Sequence, residues 1–175
     1  LRAPLSATNY TADTDGYDLR TPLNRIGNMN LFDREEPDGY PETGRLWLNT
    51  ANLCERMRFA QHLCMAPNSS LKDDDYGSAG DDNVANPVQL LKLKLDPSQW
   101  KDAGAVVDLF LGLLYPGEGR ANVDLDRQAG IAFLNSDNTG VPNSSPFDQL
   151  SDAAYDGRVR GMVAFLMALP RFQEQ

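Results

Sequence analysis

The run from Ala103 to Tyr115 constrains the fold of this chain more than any other part of its sequence. The run is apolar on nearly every face of a helix, and Pro116-Gly117 ends it. It is shorter than the ~20 residues of a membrane-spanning helix and is interrupted by Asp108, so we predict no membrane span. We expect it to be the buried central helix of a globular domain.

Asp108 is the one charged side chain within this run. A carboxylate in apolar surroundings needs a cationic or hydrogen-bonding partner, because leaving it unpaired there is costly. Arg127, Arg158 and Arg160 are the candidates. We interpret the expected pair as a structural bridge without a catalytic role.

Helical spacing recurs along most of the chain. The predicted helices begin at Thr21-Pro22, Thr50, Asn86-Pro87, Asp102, Asp124 and Ser151. Their expected core positions are Leu53, Met57, Ala60 and Cys64, then Ile131 and Leu134, and finally Tyr155, Val159, Met162, Val163 and Leu166. No strand-like alternation of convincing length is present. We therefore predict an all-α fold: a single domain over residues 1–175 with five or six helices, little or no sheet, and long acidic and Pro/Gly-rich loops.

The composition excludes some classes of partner. The formal net charge is -9, whereas a nucleic-acid-binding protein concentrates Lys and Arg to neutralise phosphates. Nucleic acid and anionic membrane surfaces are therefore poor partners for this chain. The acidity would suit a cationic partner or a divalent metal, although in many proteins it serves only solubility.

The single histidine and the two cysteines do not form a catalytic or zinc pattern. Cys54 and Cys64 are ten residues apart on one predicted helix, roughly 15 Å, which is too far for a disulfide between them. Either both are free, buried thiols, which we favour, or one of them bonds a group outside this chain. His62 lies in the middle of that helix, and no Gly-x-Ser-x-Gly elbow is present to supply a nucleophile. We name no catalytic residue and favour a protein that is not an enzyme; a cofactor bound through His62 is a weaker alternative.

Calcium is the metal ion that the sequence favours. Asp13, Asp15 and Asp18 surround Gly16, and closely spaced carboxylates at a glycine turn suit a hard cation. The segment is not an EF-hand, because Asn24 stands where a bidentate Glu is needed. We expect no cofactor as the default, with Ca²⁺ at these aspartates as the alternative.

The densest group of recognition-type residues lies in the acidic, proline-rich loop over residues 28–48. Phe32, Tyr40 and Trp47 stand among its carboxylates and form a candidate binding surface directly before the helix at Thr50. Aromatic side chains of this kind anchor protein interfaces. Acidic residues beside aromatic ones are also typical of glycan sites, so both readings stay open here.

The same region resembles a known family. Pro37-Asp-Gly-Tyr-Pro41, Trp47-Leu-Asn-Thr50 and the helix Leu53-Cys-Glu-Arg-Met-Arg-Phe-Ala60 are similar to the C-terminal part of the bacterial domain of unknown function 1800 family. The ending matches as well, with Gly157-Arg-Val-Arg-Gly-Met-Val-Ala164 followed by Leu169-Pro-Arg-Phe-Gln173. The resemblance covers both halves of the chain.

The resemblance implies a bacterial protein exported to the periplasm or the cell exterior. Family members are much longer, so the chain corresponds to roughly their C-terminal third, and no established catalytic residue can be carried over. We expect a non-catalytic helical module that acts as a structural or interaction subunit, with a protein partner or the remainder of a larger chain. The alternative is an accessory domain of a secreted polymer-degrading, glycan-related enzyme with a Ca²⁺ site.

Overall fold

A computed structural model describes residues 50–64 and 85–173. Within these ranges the chain forms six α-helices and no β-strand, which confirms the all-α prediction. The helices are α1 (Thr50–Cys64), α2 (Pro87–Lys94), α3 (Ala103–Leu114), α4 (Asp124–Leu134), α5 (Asp152–Ala168) and α6 (Pro170–Gln173). Short 3-10 turns at Pro97–Gln99, Arg120–Val123 and Phe147–Gln149 precede α3, α4 and α5. The helix predicted at Thr21-Pro22 lies outside the described residues.

Polar side chains start three of these helices where the sequence predicted. Asn86 Oδ1 accepts a hydrogen bond from the Gln89 N–H at 3.0 Å, and Pro87 occupies the first turn of α2. Asp102 caps α3 and Ser151 caps α5 in the same way. Each cap satisfies backbone donors that have no partner inside the helix, so these helix starts follow from local chemistry.

Among the described helices, α5 rather than α3 lies at the centre. It packs against each of the other five described helices, and its predicted core stripe is confirmed. The stripe consists of Tyr155, Val159, Met162, Val163 and Leu166, all of them buried. Helix α3 buries only one face, since Asp108 and Gly112 on its other side are exposed. The prediction of a central α3 was wrong because apolar content shows what a helix can bury, not how many neighbours surround it.

Two glycines allow the helices around α5 to approach closely. A Cβ atom at Gly130 of α4 would lie 3.1 Å from the Val107 side chain of α3. At Gly161 of α5 it would lie 3.1 Å from Phe133, whose ring stacks on Phe165 with centroids 5.4 Å apart. Both glycines therefore leave room for a neighbouring side chain at a helix crossing, and a larger residue would require Val107 or Phe133 to shift.

Helix α1 packs against α5 through a slightly different stripe from the predicted one. Ala60 and Cys64 are buried as expected, whereas Met57 is 39% exposed. Arg56 lies on the packed side instead, and its guanidinium donates a hydrogen bond to the Gln173 carbonyl at 3.1 Å. The long arginine stem can cover apolar surface while its head reaches a polar partner, which a hydropathy pattern does not register.

The loop after α4 is organised around the Asp137 carboxylate. One oxygen of this group accepts hydrogen bonds from the Thr139 hydroxyl at 2.6 Å, the Thr139 N–H at 2.8 Å and the Val141 N–H at 3.2 Å. These bonds favour the charged form and lower the pKa of Asp137 to about 2, the Thr139 hydroxyl contributing most.

The depressed pKa predicts how the loop responds to acid. The contribution of Asp137 is fully present above the ordinary aspartate pKa and is lost as the pH falls through about 2. We expect the Thr139 and Val141 amide resonances to titrate with a midpoint near 2 in NMR spectra. The Asp137→Asn variant should lack this titration, and a wild-type midpoint near 4 would contradict the hydrogen-bonded loop.

Candidate functional site

The side chains that the sequence nominated for binding lie outside the described residues. This holds for the aromatic surface of Phe32, Tyr40 and Trp47 and for the calcium candidates Asp13, Asp15 and Asp18. In residues 50–64 and 85–173, no group of three or more His, Cys, Asp or Glu side chains is placed to hold a metal ion. No helix of the same ranges has the length and apolar character to cross a membrane.

Arg160 of α5 is the most extensively bonded buried charge in the described part of the chain. Its side chain is 9% exposed, and its Nε donates to Asp156 Oδ2 at 2.7 Å. Its Nη1 donates to two backbone carbonyls, those of Cys64 at 3.3 Å and Ala85 at 3.1 Å. The guanidinium thus holds a carboxylate on its own helix and the chain on either side of residues 65–84. We call these four residues the Arg160 node.

The Arg160 node fixes the end of α1 close to the start of α2. The Ala85 N–H donates to the Leu63 carbonyl at 2.7 Å, so the chain leaves α1 and returns to α2 at nearly the same point. Arg160 Nη2 also reaches Asn86 Oδ1, the cap of α2, at 3.4 Å. A guanidinium keeps its charge at any physiological pH, which makes it a permanent donor for these acceptors and unsuited to proton transfer.

Asp108 pairs with Arg127, one of its three predicted partners, while the other two arginines have different roles. Arg127 contacts both carboxylate oxygens, at 2.6 and 3.2 Å, and this hydrogen bonding raises the pKa of Arg127. Arg158 donates instead to the Leu134 carbonyl at 3.1 Å. The Asp108 side chain is 43% exposed, so the pair is a surface bridge rather than the buried one we expected.

An open cleft of about 420 Å³ lies beside this ion pair. Its lining combines residues from the end of α2, the following 3-10 turn, α3 and α4: Leu95, Gln99, Asp102, Gly104, Ala105, Asp108, Leu109 and Arg127. A Cβ atom at Gly104 would lie 3.1 Å from Arg127 Nη2 and 3.2 Å from Asp102 Oδ1, so a larger residue there would require these side chains to shift. The cleft therefore has apolar walls and a charged rim.

The cysteines are free, as predicted, and their environments differ. Cys64 is buried, and this burial raises its pKa to about 12, although nearby Arg160 acts in the opposite direction. It is therefore protonated and unreactive at neutral pH. Cys54 is exposed, so the expectation that both thiols are buried was wrong for it. His62 is packed inside the protein, at 5% exposure.

This difference predicts selective labelling of the two thiols. In the native chain, a thiol-exchange reagent should modify Cys54 within minutes and leave Cys64 unmodified, because only Cys54 is accessible. Both should react after denaturation. The single variants Cys54→Ser and Cys64→Ser identify each thiol by mass spectrometry. Rapid native labelling of the Cys54→Ser variant would contradict the buried position of Cys64.

The C-terminal residues tie three helices together. The Phe172 and Tyr115 rings pack edge to face, with their centroids 6.4 Å apart. The Tyr115 hydroxyl donates a hydrogen bond to the Leu166 carbonyl at 2.9 Å. Arg171 Nε donates to Asp126 Oδ2 at 2.9 Å, which links α6 to α4. The Gln173 amide donates to the Met167 carbonyl at 2.7 Å. The closing Pro-Arg-Phe-Gln sequence is therefore a docking element of the fold.

Sequence reasoning missed Arg56 and Arg160 as organising residues. A signal for Arg160 was present, since Asp156 precedes it by one helical turn beside the buried stripe of α5. For Arg56 no signal was available, because its acceptor lies 117 residues away in the chain.

Comparison with protein families identifies the chain. A family model described as "Protein of unknown function (DUF1800)" matches residues 1–174. The chain belongs to this family. Comparisons of the DUF1800 chain with curated proteins and with solved structures found no match.

Two of the described stretches that indicated DUF1800 membership pack against each other. Leu53–Ala60 lies in α1, and Gly157–Ala164 lies in α5. These helices form one of the main packing pairs of the described fold. The closing Leu169–Gln173 stretch docks beside them through Arg56. The DUF1800 pattern thus includes residues whose role is to assemble the helical scaffold.

Proposed function

We propose that this DUF1800 chain is a non-catalytic, exported helical module that acts as a structural or interaction subunit of a larger assembly. Its contact surface is the aromatic group Phe32, Tyr40 and Trp47. The partner is another protein or the remainder of a longer chain. The module works as a rigid base that presents this surface, and it requires no cofactor.

The anchoring of α1 is the observation that carries the proposal. Helix α1 begins at Thr50, directly after Trp47-Leu-Asn49 in the sequence. It is held at Cys64 by Arg160 and through Arg56 by the Gln173 carbonyl, two contacts to parts of the chain distant in sequence. A segment joined to a well-anchored helix loses less freedom on binding than one joined to a loose helix, which favours a contact role.

The family match provides a second argument. It extends over residues 1–174 and so includes the aromatic group together with the helices. Large aromatic side chains, Trp above all, contribute disproportionately to protein interfaces. Their position before α1 therefore suits a recognition role within the family unit.

Co-purification from the native cells tests the proposed role. The tagged wild-type chain should be recovered with a specific partner or within a species much larger than the chain itself. The Trp47→Ala variant should recover at least roughly tenfold less partner, because truncation of an interface Trp has a large effect. Leu125→Ala is the matched control, since it removes an apolar side chain that is 80% exposed. A solitary wild-type monomer, or full recovery with Trp47→Ala, would contradict the proposal.

Fractionation of the same cells tests the export component. We expect the chain in the periplasmic or extracellular fraction, and its retention in the cytoplasm would refute that component alone.

A further inference from the structure

The cleft between α3 and α4 carries an inference that does not depend on the aromatic surface. Leu95, Ala105 and Leu109 provide its apolar walls. Asp102, Asp108 and Gln99 are the lining residues whose side chains carry oxygen atoms, and Arg127 is the cation among them. An occupant that matches this lining has an apolar stem and a polar head.

The charges at the rim favour a cationic head. Arg127 is paired with Asp108 through both carboxylate oxygens and also lies in the field of Asp124 and Asp102. Arg120, the other cation near Asp108, lies 3.7 Å from it and is 78% exposed. The cleft lining itself holds two carboxylates, those of Asp102 and Asp108, and one guanidinium group, that of Arg127, so the lining carries a net negative charge. The formal net charge of -9 adds a long-range attraction for cations.

Asp102 retains an acceptor for an incoming donor. Its Oδ1 atom accepts the N–H groups of Gly104 at 2.8 Å and Ala105 at 3.2 Å, as the cap of α3. Within the described residues, its Oδ2 atom accepts no hydrogen bond. The Asp108 oxygens each have a further lone pair beyond their bond to Arg127. The rim can therefore accept hydrogen bonds without dismantling the helix cap or the ion pair.

We propose that this cleft is a docking site for an arginine side chain of a partner protein. The aliphatic stem lies against Leu95, Ala105 and Leu109, and the guanidinium donates to Asp102 and Asp108. Arginine suits the site better than lysine, because its planar head offers several donors in a fixed arrangement to two carboxylates. The proposal adds a second contact surface to the chain, formed by described residues alone.

NMR titration of the full chain tests the site with small probes. N-acetyl-arginine methylamide should cause saturable shifts of the Gly104, Ala105 and Gln99 amides with weak, roughly millimolar affinity, as expected for one exposed ionic contact and a short stem. The uncharged isostere N-acetyl-citrulline methylamide should bind roughly threefold or more weakly.

Variants locate the binding in the cleft. Asp102→Asn removes the charge and keeps the helix cap, because Asn caps helices as well as Asp does. We expect it to weaken the arginine probe roughly threefold to fivefold, while Ala105→Leu fills the cleft and abolishes the shifts. Asp148→Asn removes an exposed charge outside the cleft lining and should leave the affinity unchanged.

Three results would overturn the arginine site: no saturable shift of the cleft amides, equal affinity for the citrulline probe, or equal weakening by Asp102→Asn and Asp148→Asn. Repeating the titration with the Trp47→Ala variant should give the wild-type affinity. A failure of the aromatic surface and a failure of the cleft are therefore distinguishable.

Discussion

Replacing Arg160 with methionine should lower the free energy of unfolding by about 3 kcal/mol. The substitution keeps an apolar stem but leaves the carbonyls of Cys64 and Ala85 without their guanidinium donor in a buried place. Removing one partner of a buried polar network costs far more than removing an exposed ion pair. Urea denaturation followed by circular dichroism measures the change.

A matched control distinguishes the effect of losing a buried arginine from the effect of losing an exposed one. Arg120 also lies near a carboxylate, at 3.7 Å, but its side chain is 78% exposed. Arg120→Met should therefore change the free energy of unfolding by no more than about 0.5 kcal/mol. Arg160→Lys should be intermediate, because one ammonium group cannot replace a guanidinium that bonds a carboxylate and two carbonyls. Equal effects of Arg160→Met and Arg120→Met would contradict the role of the Arg160 node.

Truncating Leu134 should have an effect of similar size for a different reason. Leu134 of α4 is fully buried, at 0% exposure, in the core cluster around α5. Leu134→Ala removes apolar contacts and leaves a cavity that the surrounding helices fill only in part. We expect a loss of about 3 kcal/mol in the free energy of unfolding, within the range measured for buried Leu→Ala changes.

The same helix provides the control for this prediction. Leu125 also lies in α4 but is 80% exposed, so Leu125→Ala alters the same residue type in the same helix without opening a cavity. Its effect should stay within about 0.5 kcal/mol. Equal stability of the two variants in thermal and urea unfolding would contradict the burial of Leu134 and the exposure of Leu125 on α4.

The helices and much of the core could be predicted because both depend on local information. Asn86, Asp102 and Ser151 cap helices through side chains that bond the next few backbone N–H groups, so their effect is visible within a short window. The stripe of α5 follows from helical periodicity, and all five of its predicted residues are buried.

The arrangement of the helices could not be predicted in the same way. The apolar run of α3 suggested a central helix, yet α5 holds that place, because periodicity describes one helix and not its neighbours. Asp108 is exposed for the same reason, because the periodicity of α3 does not show which of its sides remains open to solvent. The expected ion pair of Asp108 is present, but it is exposed to solvent rather than buried.

The candidate sites likewise divide into those predictable from a local sequence pattern and those that depend on tertiary contacts. The protected thiol of Cys64 was predicted from its place in an apolar stripe. The Arg160 node was not, because its acceptors at Cys64 and Ala85 are 96 and 75 residues away. The cleft was missed as well, since its lining comes from separate elements that meet only in the folded chain. Contacts of this kind depend on tertiary packing that one sequence does not encode in any local pattern.

Site-specific photo-crosslinking in native cells tests the central claim, that this DUF1800 chain is an interaction module, most directly. A photoreactive phenylalanine analogue is placed at Trp47 in one chain and at the exposed position Leu125 in the control. We predict a discrete adduct of the chain with one specific protein from position 47 and none from position 125. The absence of an adduct at position 47, or the same adducts from both positions, would contradict the claim.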